Sequence, residues 1–120
     1  MVSVDRARRA CFAIVLLVSF GILFTPAGAV PSAPAGVDTA IHIVLFTALT
    51  YTGVLAGLSR PVAAMLLLTY AAASELIQSL PALNRSASPR DWLADAAGVG
   101  AGVALSLAFR RSSRWWASPP

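Results

Sequence analysis

The chain has no lysine, a single cysteine and a single histidine, and charged residues make up only 12% of its 120 positions. Each scarcity excludes something. Cys11 has no second cysteine with which to close an intrachain disulfide. It lies inside an apolar run, which predicts a small buried hydrophobe, and the ten residues before it are too few for the cleavage signal that precedes a lipidated cysteine. A soluble domain carries about 25% charged residues, and a chain this short has a high ratio of surface to volume. So few charges cannot coat a soluble globule of this size. Also missing are the H-E-x-x-H, G-x-S-x-G and P-loop signatures of common hydrolases and nucleotide-binding proteins.

What is present is apolar. Hydrophobic residues reach 58%, with a mean hydropathy of +0.75. Those values exclude intrinsic disorder and point to a chain embedded in a membrane. The pI near 10.7 comes from nine arginines: Arg6, Arg8, Arg9, Arg60, Arg85, Arg90, Arg110, Arg111 and Arg114. Most of them sit at the ends of apolar runs, as membrane topology requires, so no nucleic-acid partner is expected.

The apolar runs predict an all-α fold, a single domain over residues 1–120, built as a small transmembrane bundle of four helices at about 10–26, 38–58, 61–80 and 91–110. The first run follows the basic cluster Arg6, Arg8, Arg9 and ends at Pro26. Ala27-Gly28-Ala29 offers an A-x-A cleavage site, so this run reads either as a signal peptide or as an uncleaved first span. Residues 26–37, with three prolines and no charge, predict a loop. Asp38 is placed to cap the second helix, Ser59-Arg60-Pro61 to separate the second from the third, and residues 81–90 to form another loop. The arginines of the N-terminus, Arg60 and the basic tail with Trp115 and Trp116 put both termini in the cytoplasm. Trp92 then belongs to the outer face. Arg85 and Arg90 fall on the outer side, against that rule, and require a local reason.

The polar residues supply one. Asp38 and His42 lie four apart near the outer end of the second helix. Glu75 and Gln78 lie three apart near the outer end of the third, and Asp91 and Asp95 four apart at the start of the fourth. Each pair shares a helix face. With Arg85 and Arg90 they gather at one level. At about 1.5 Å per residue, Glu75 lies roughly 22 Å from Arg60, inside the apolar layer. A carboxylate there costs about 2.5 kcal/mol or more, and its partner is expected among His42, Arg85 and Arg90. Interhelical hydrogen bonding, at about 0.6 kcal/mol per group, is the plainer account of any one of these residues. Four acids, a histidine and two arginines at one level exceed what packing needs, and mark a binding site. Gly98 and Gly102 form G-x-x-x-G on the face that continues Asp91 and Asp95, and Gly53 and Gly57 repeat the spacing on the second helix. These predict close packing of those two helices, or a homo-oligomer.

In this order the residues resemble the VanZ-like family of small bacterial membrane proteins. The family's first motif is Asp, usually followed by Lys, with His at the fourth position after the Asp. Here it is Asp38-Thr39-Ala40-Ile41-His42, with Phe46 following. Its second motif, Glu-x-x-Gln, a loop Arg and Asp-x-x-x-Asn-x-x-Gly-x-x-x-Gly, corresponds to Glu75, Gln78, Arg85, Asp91, Asp95, Gly98 and Gly102. Thr39 stands where the family has Lys, and Asp95 where it has Asn, so the charge at the site moves in the negative direction. The resemblance implies a multi-pass protein of the bacterial cytoplasmic membrane, with a link to glycopeptide (teicoplanin) resistance.

Four functions follow as expectations. The first is an envelope protein that binds an anionic lipid headgroup such as a polyprenyl phosphate. Arg85 and Arg90 would contact the phosphate, and Asp38, His42, Glu75, Gln78, Asp91 and Asp95 would complete the site. The second is an intramembrane acid–base or metal-dependent enzyme using His42, Glu75 and Asp91. One histidine with scattered acids is a weak metal signature, so no metal, no cofactor and no catalytic residue is assigned. The third is transport, against which all the charges lie at one level. The fourth is a structural or partner-binding bundle.

Overall fold

An apolar segment in lipid must satisfy its own backbone, and a helix does so within one strand of chain. The computed structural model describes residues 4–25, 36–82 and 89–117, with side chains described as far as Phe109. Four helices run through them: α1 Val4–Phe24, α2 Val37–Leu55, α3 Arg60–Gln78 and α4 Pro89–Ala117. All four are long and apolar enough to cross a membrane, and no strand occurs among the described residues. The protein is an all-α, multi-pass membrane bundle. The cleavage site at residues 27–29 and most of the two expected loops lie outside the described residues.

Helix ends differ from expectation where local chemistry overrides hydropathy. α1 begins at Val4, ahead of its apolar run, because Asp5 in the first turn suits the helix dipole and Arg and Ala favour helix. α4 continues past Phe109 through the basic tail to Ala117. Asp38 does not cap α2. Gly36 does, at φ 91° and with no side-chain hydrogen bond, and its carbonyl accepts from the Ala40 amide at 3.0 Å. Asp38 lies inside the first turn.

α2 stops at Leu55, short of Leu58. Gly57 takes φ 117°, which only glycine adopts readily. The Gly57 amide donates to Val54 O at 3.1 Å and the Leu58 amide to Gly53 O at 3.1 Å, the paired bonds of a Schellman end. Gly57 is therefore a helix stop and not half of a packing motif. α3 opens on Ser59, whose hydroxyl accepts from the Val62 amide at 3.4 Å, with Pro61 in its first turn.

The helices alternate in direction, so the α1 and α3 C-termini share one end with the α2 and α4 N-termini. α2 is central and contacts all three others, most extensively α4. The glycine stripe sets that closeness. A Cβ on Gly98 would lie 2.6 Å from Ile43 O, and one on Gly102 would lie 2.6 Å from Thr50 Cβ and 2.8 Å from Thr47 O. This face is filled within the chain and is not open to a second copy. Gly53 faces α1 instead, with Phe12 at 3.3 Å from its would-be Cβ. Leu23, Leu45, Phe46, Leu49, Leu67, Ala71 and Val99 form the core. Cys11, expected to be buried, is exposed, because α1 packs on its neighbours along one side, through Phe12, Val15, Leu16, Ser19, Phe20, Leu23 and Phe24.

Candidate functional site

The polar residues converge at the end where α2 and α4 begin. His42 stands in the second turn of α2 with its side chain 3% exposed, and Asp95 in the second turn of α4, fully buried. The Gly98 contact brings the two backbones together just below them. His42 Nδ1 lies 2.6 Å from Asp95 Oδ1, a hydrogen bond across the seam. Burying this carboxylate in an apolar layer is costly, and a short bond to an imidazole offsets that cost. Asp95 Oδ2 is buried with no hydrogen-bond partner among the described residues.

Two groups of donor atoms share His42. In the inner one, an atom each from His42, Glu75 and Asp95 lie within 4.8 Å of one another, all three residues being buried. In the outer one, Asp38, His42 and Asp91 meet the same limit, with Asp38 exposed and Asp91 half-buried. His42 Nε2 is 3.8 Å from Asp38 Oδ2, beyond hydrogen-bond range. The imidazole thus separates a closed pair of carboxylates from an open pair.

The other expected site residues fall outside this centre. Gln78 is buried, but its side-chain amide donates to Leu23 O at 2.8 Å. Leu23 is in the last turn of α1, where carbonyls lack helical partners, so Gln78 ties α1 to α3. Arg90 is exposed at the start of α4 and forms no ion pair with a described residue. Arg85 lies outside the described residues, and the partnership expected between it and Glu75 lies there too. The His42 hydrogen bond expected for Glu75 goes to Asp95. Gly98 and Gly102 serve packing, as described above.

Some polar contacts escape a motif reading. Ser19 Oγ and Tyr70 Oη lie 2.9 Å apart and join α1 to α3. At the opposite end, Arg60 Nε donates to Ser106 Oγ at 2.9 Å and Nη2 to Ser106 O at 3.2 Å, clasping α3 to α4. A serine in an apolar helix was the available signal, since it must find a partner in protein. Beside the polar centre, Ile22 of α1 and Val37, Ala40, Ile41, Val44 and Leu45 of α2 line an apolar groove of about 330 Å³. Compared with known proteins, the chain matches no family model, no curated protein and no solved structure.

Proposed function

We propose that this is a VanZ-like protein of the bacterial cytoplasmic membrane that binds the phosphate-bearing headgroup of an envelope lipid at the outer end of its bundle. One observation carries the reading: a polar centre and an apolar groove share the first two turns of α2, on neighbouring faces. Polyprenyl phosphates have that division, a charged head on an apolar tail. The groove suits a prenyl chain at membrane depth, and Asp38, His42, Asp91 and Arg90 stand where the head would emerge. Orientation follows from charge. Arg6, Arg8, Arg9 and Arg60 belong to the end opposite the cluster, as do Arg110, Arg111 and Arg114 by sequence, and the arginine-rich side is cytoplasmic. A role in glycopeptide resistance would rest on capture of such a lipid.

The His42–Asp95 bond at 2.6 Å favours catalysis as the second reading, because an imidazole held by a carboxylate is equipped for general acid–base work. Glu75→Gln separates function from packing, since it removes a charge but keeps a hydrogen-bonding amide. The purified variant should melt within a few degrees of the native protein and bind polyprenyl phosphate at least about tenfold more weakly. Inorganic phosphate in excess should compete poorly, because it lacks the tail. Unchanged lipid binding in the variant would return Glu75 to the packing role. Release of inorganic phosphate from the lipid would replace binding by catalysis.

A further inference from the structure

The described rim of the site has the wrong charge for an anion. Asp38 and Asp91 flank the opening with His42 beside them, and Arg90 next to Asp91 offsets only one of the two carboxylates. A phosphate brought to this rim meets two carboxylates and is repelled at short range. A cation held between the acids would reverse that sign.

The histidine is already set for such an ion. Its Nδ1 is engaged by Asp95 at 2.6 Å, which leaves Nε2. That second nitrogen makes no hydrogen bond with a described residue and lies 3.8 Å from Asp38 Oδ2. The side chain is only 3% exposed, so water has little access to it. Metal-ligating histidines have this arrangement: one ring nitrogen donates to a carboxylate, which fixes the tautomer and aims the other at the ion. The inner group is the less accessible of the two, since Glu75 and Asp95 are both buried. Buried Asp95 Oδ2, without a hydrogen-bond partner among the described residues, leaves negative charge behind the ring and strengthens it as a ligand.

We propose that Asp38, His42 through Nε2, and Asp91 hold a divalent cation, with Asp95 orienting His42, and that this cation carries the headgroup phosphate. Its second half rests on the function proposed above, and the cation site itself does not. One imidazole with two carboxylates suits Zn2+ or Mn2+ better than Mg2+. Three protein ligands leave open positions for phosphate oxygens. Ligand bonds of about 2.0–2.2 Å require donor atoms within about 4.4 Å of one another; those of the outer group lie within 4.8 Å, with His42 Nε2 and Asp38 Oδ2 at 3.8 Å. The Asp38 side chain, 72% exposed, is free to swing inward.

The test uses the full chain in detergent, first with Zn2+ or Mn2+ alone. Equilibrium dialysis with elemental analysis should find about one ion per chain, and Mg2+ should compete weakly. Asp38→Ala and Asp91→Asn should each lower affinity at least tenfold, and His42→Ala should abolish binding. Asp95→Asn should cost about 10- to 100-fold, as for other residues that orient a ligand. Asp38 is exposed, so its variant keeps the fold and the test does not depend on His42→Ala remaining folded. Less than about a tenth of an ion per native chain, or native affinity in Asp38→Ala and Asp91→Asn together, overturns the cation site. Polyprenyl phosphate binding is then measured with and without EDTA. An ion that binds while the lipid does not leaves the site standing and removes the headgroup reading. A lipid that binds equally well in EDTA supports the headgroup reading and overturns the cation's part in it.

Discussion

α1 and α2 are both about the length of a membrane span, yet they meet the bundle in opposite ways. α1 is the most apolar of the four, and only 11% of its spanning window is buried inside the protein, against 33% for each of the others. α2 carries His42, Thr50 and Gly53 among its buried residues and lies backbone to backbone against α4. Within lipid, apolar surface gains nothing by turning inward, because the tails are as apolar as leucine. Small and polar residues therefore mark the closest seams, and much of the leucine and valine faces lipid around a small core that includes Leu23, Leu45, Leu49, Leu67 and Val99. In α1, high hydropathy goes with exposure and not with burial.

The comparison breaks most sharply at Gly98. Gly98→Leu would drive side-chain atoms into Ile43 O and Phe46 Cβ, which already lie 2.6 Å and 2.9 Å from a bare Cβ. Backbone cannot give way as a side-chain tip can. The expected loss is about 3 kcal/mol or more, at the top of the overpacking range, read from thermal unfolding in detergent. Gly100→Ala is the control on the same helix. Nothing lies within 4 Å of its would-be Cβ, so it should be neutral or gain up to about 1 kcal/mol of helix propensity. Similar melting of the two variants would show that the stripe does not set the seam.

Gln78→Ala moves the question to α1. It leaves Leu23 O without the amide that now donates to it at 2.8 Å, a loss of about 1 kcal/mol. Hydrogen exchange should quicken in the last turns of α1 and stay unchanged at Leu45, Leu49 and Val99. Faster exchange through α2 and α4 as well would mean that α1 is integral to the core and not docked on it.

Four spans and their alternation were legible because backbone in lipid has so few solutions. The seam was half legible. Gly98 and Gly102 carried it, whereas Gly53 and Gly57 share their spacing and do other work, one against Phe12 and one ending the helix. Spacing identifies a face but not its neighbour, and a positive φ does not show in a glycine's letter. The level of the site was legible from Asp38, His42, Glu75, Asp91 and Asp95, since charge inside an apolar run is costly wherever it points. Which carboxylate His42 would choose was not. That depends on the crossing of α2 and α4, fixed by atoms at Gly98 and not by the acids. Cys11 failed for a related reason: α1 packs along one side, and one step round the helix separates protein from lipid.

The smallest expected effect tests how α1 is held beside its apolar contacts. Tyr70 Oη and Ser19 Oγ lie 2.9 Å apart, and the Tyr70 ring packs on Phe20 and Phe46 with centroids 5.8 Å away in each case. Tyr70→Phe removes the hydroxyl and keeps the ring. Ser19 retains its bond to Leu16 O at 2.6 Å, so the variant strands no buried donor. A double-mutant cycle with Ser19→Ala should give a coupling of about 0.6 kcal/mol, the average for such bonds between membrane helices. Tyr70→Leu should cost more than Tyr70→Phe, because it loses two ring contacts along with the hydroxyl. If the cycle returned more than about 2 kcal/mol, beyond the range seen for membrane hydrogen bonds, one polar contact would hold α1 as firmly as a glycine seam holds α4. The contrast between a docked helix and a built-in one would then disappear. A value near zero would leave Phe12 against Gly53 and the Gln78 bond as the attachments that matter, and would make α1 the first element to separate when the bundle is loosened.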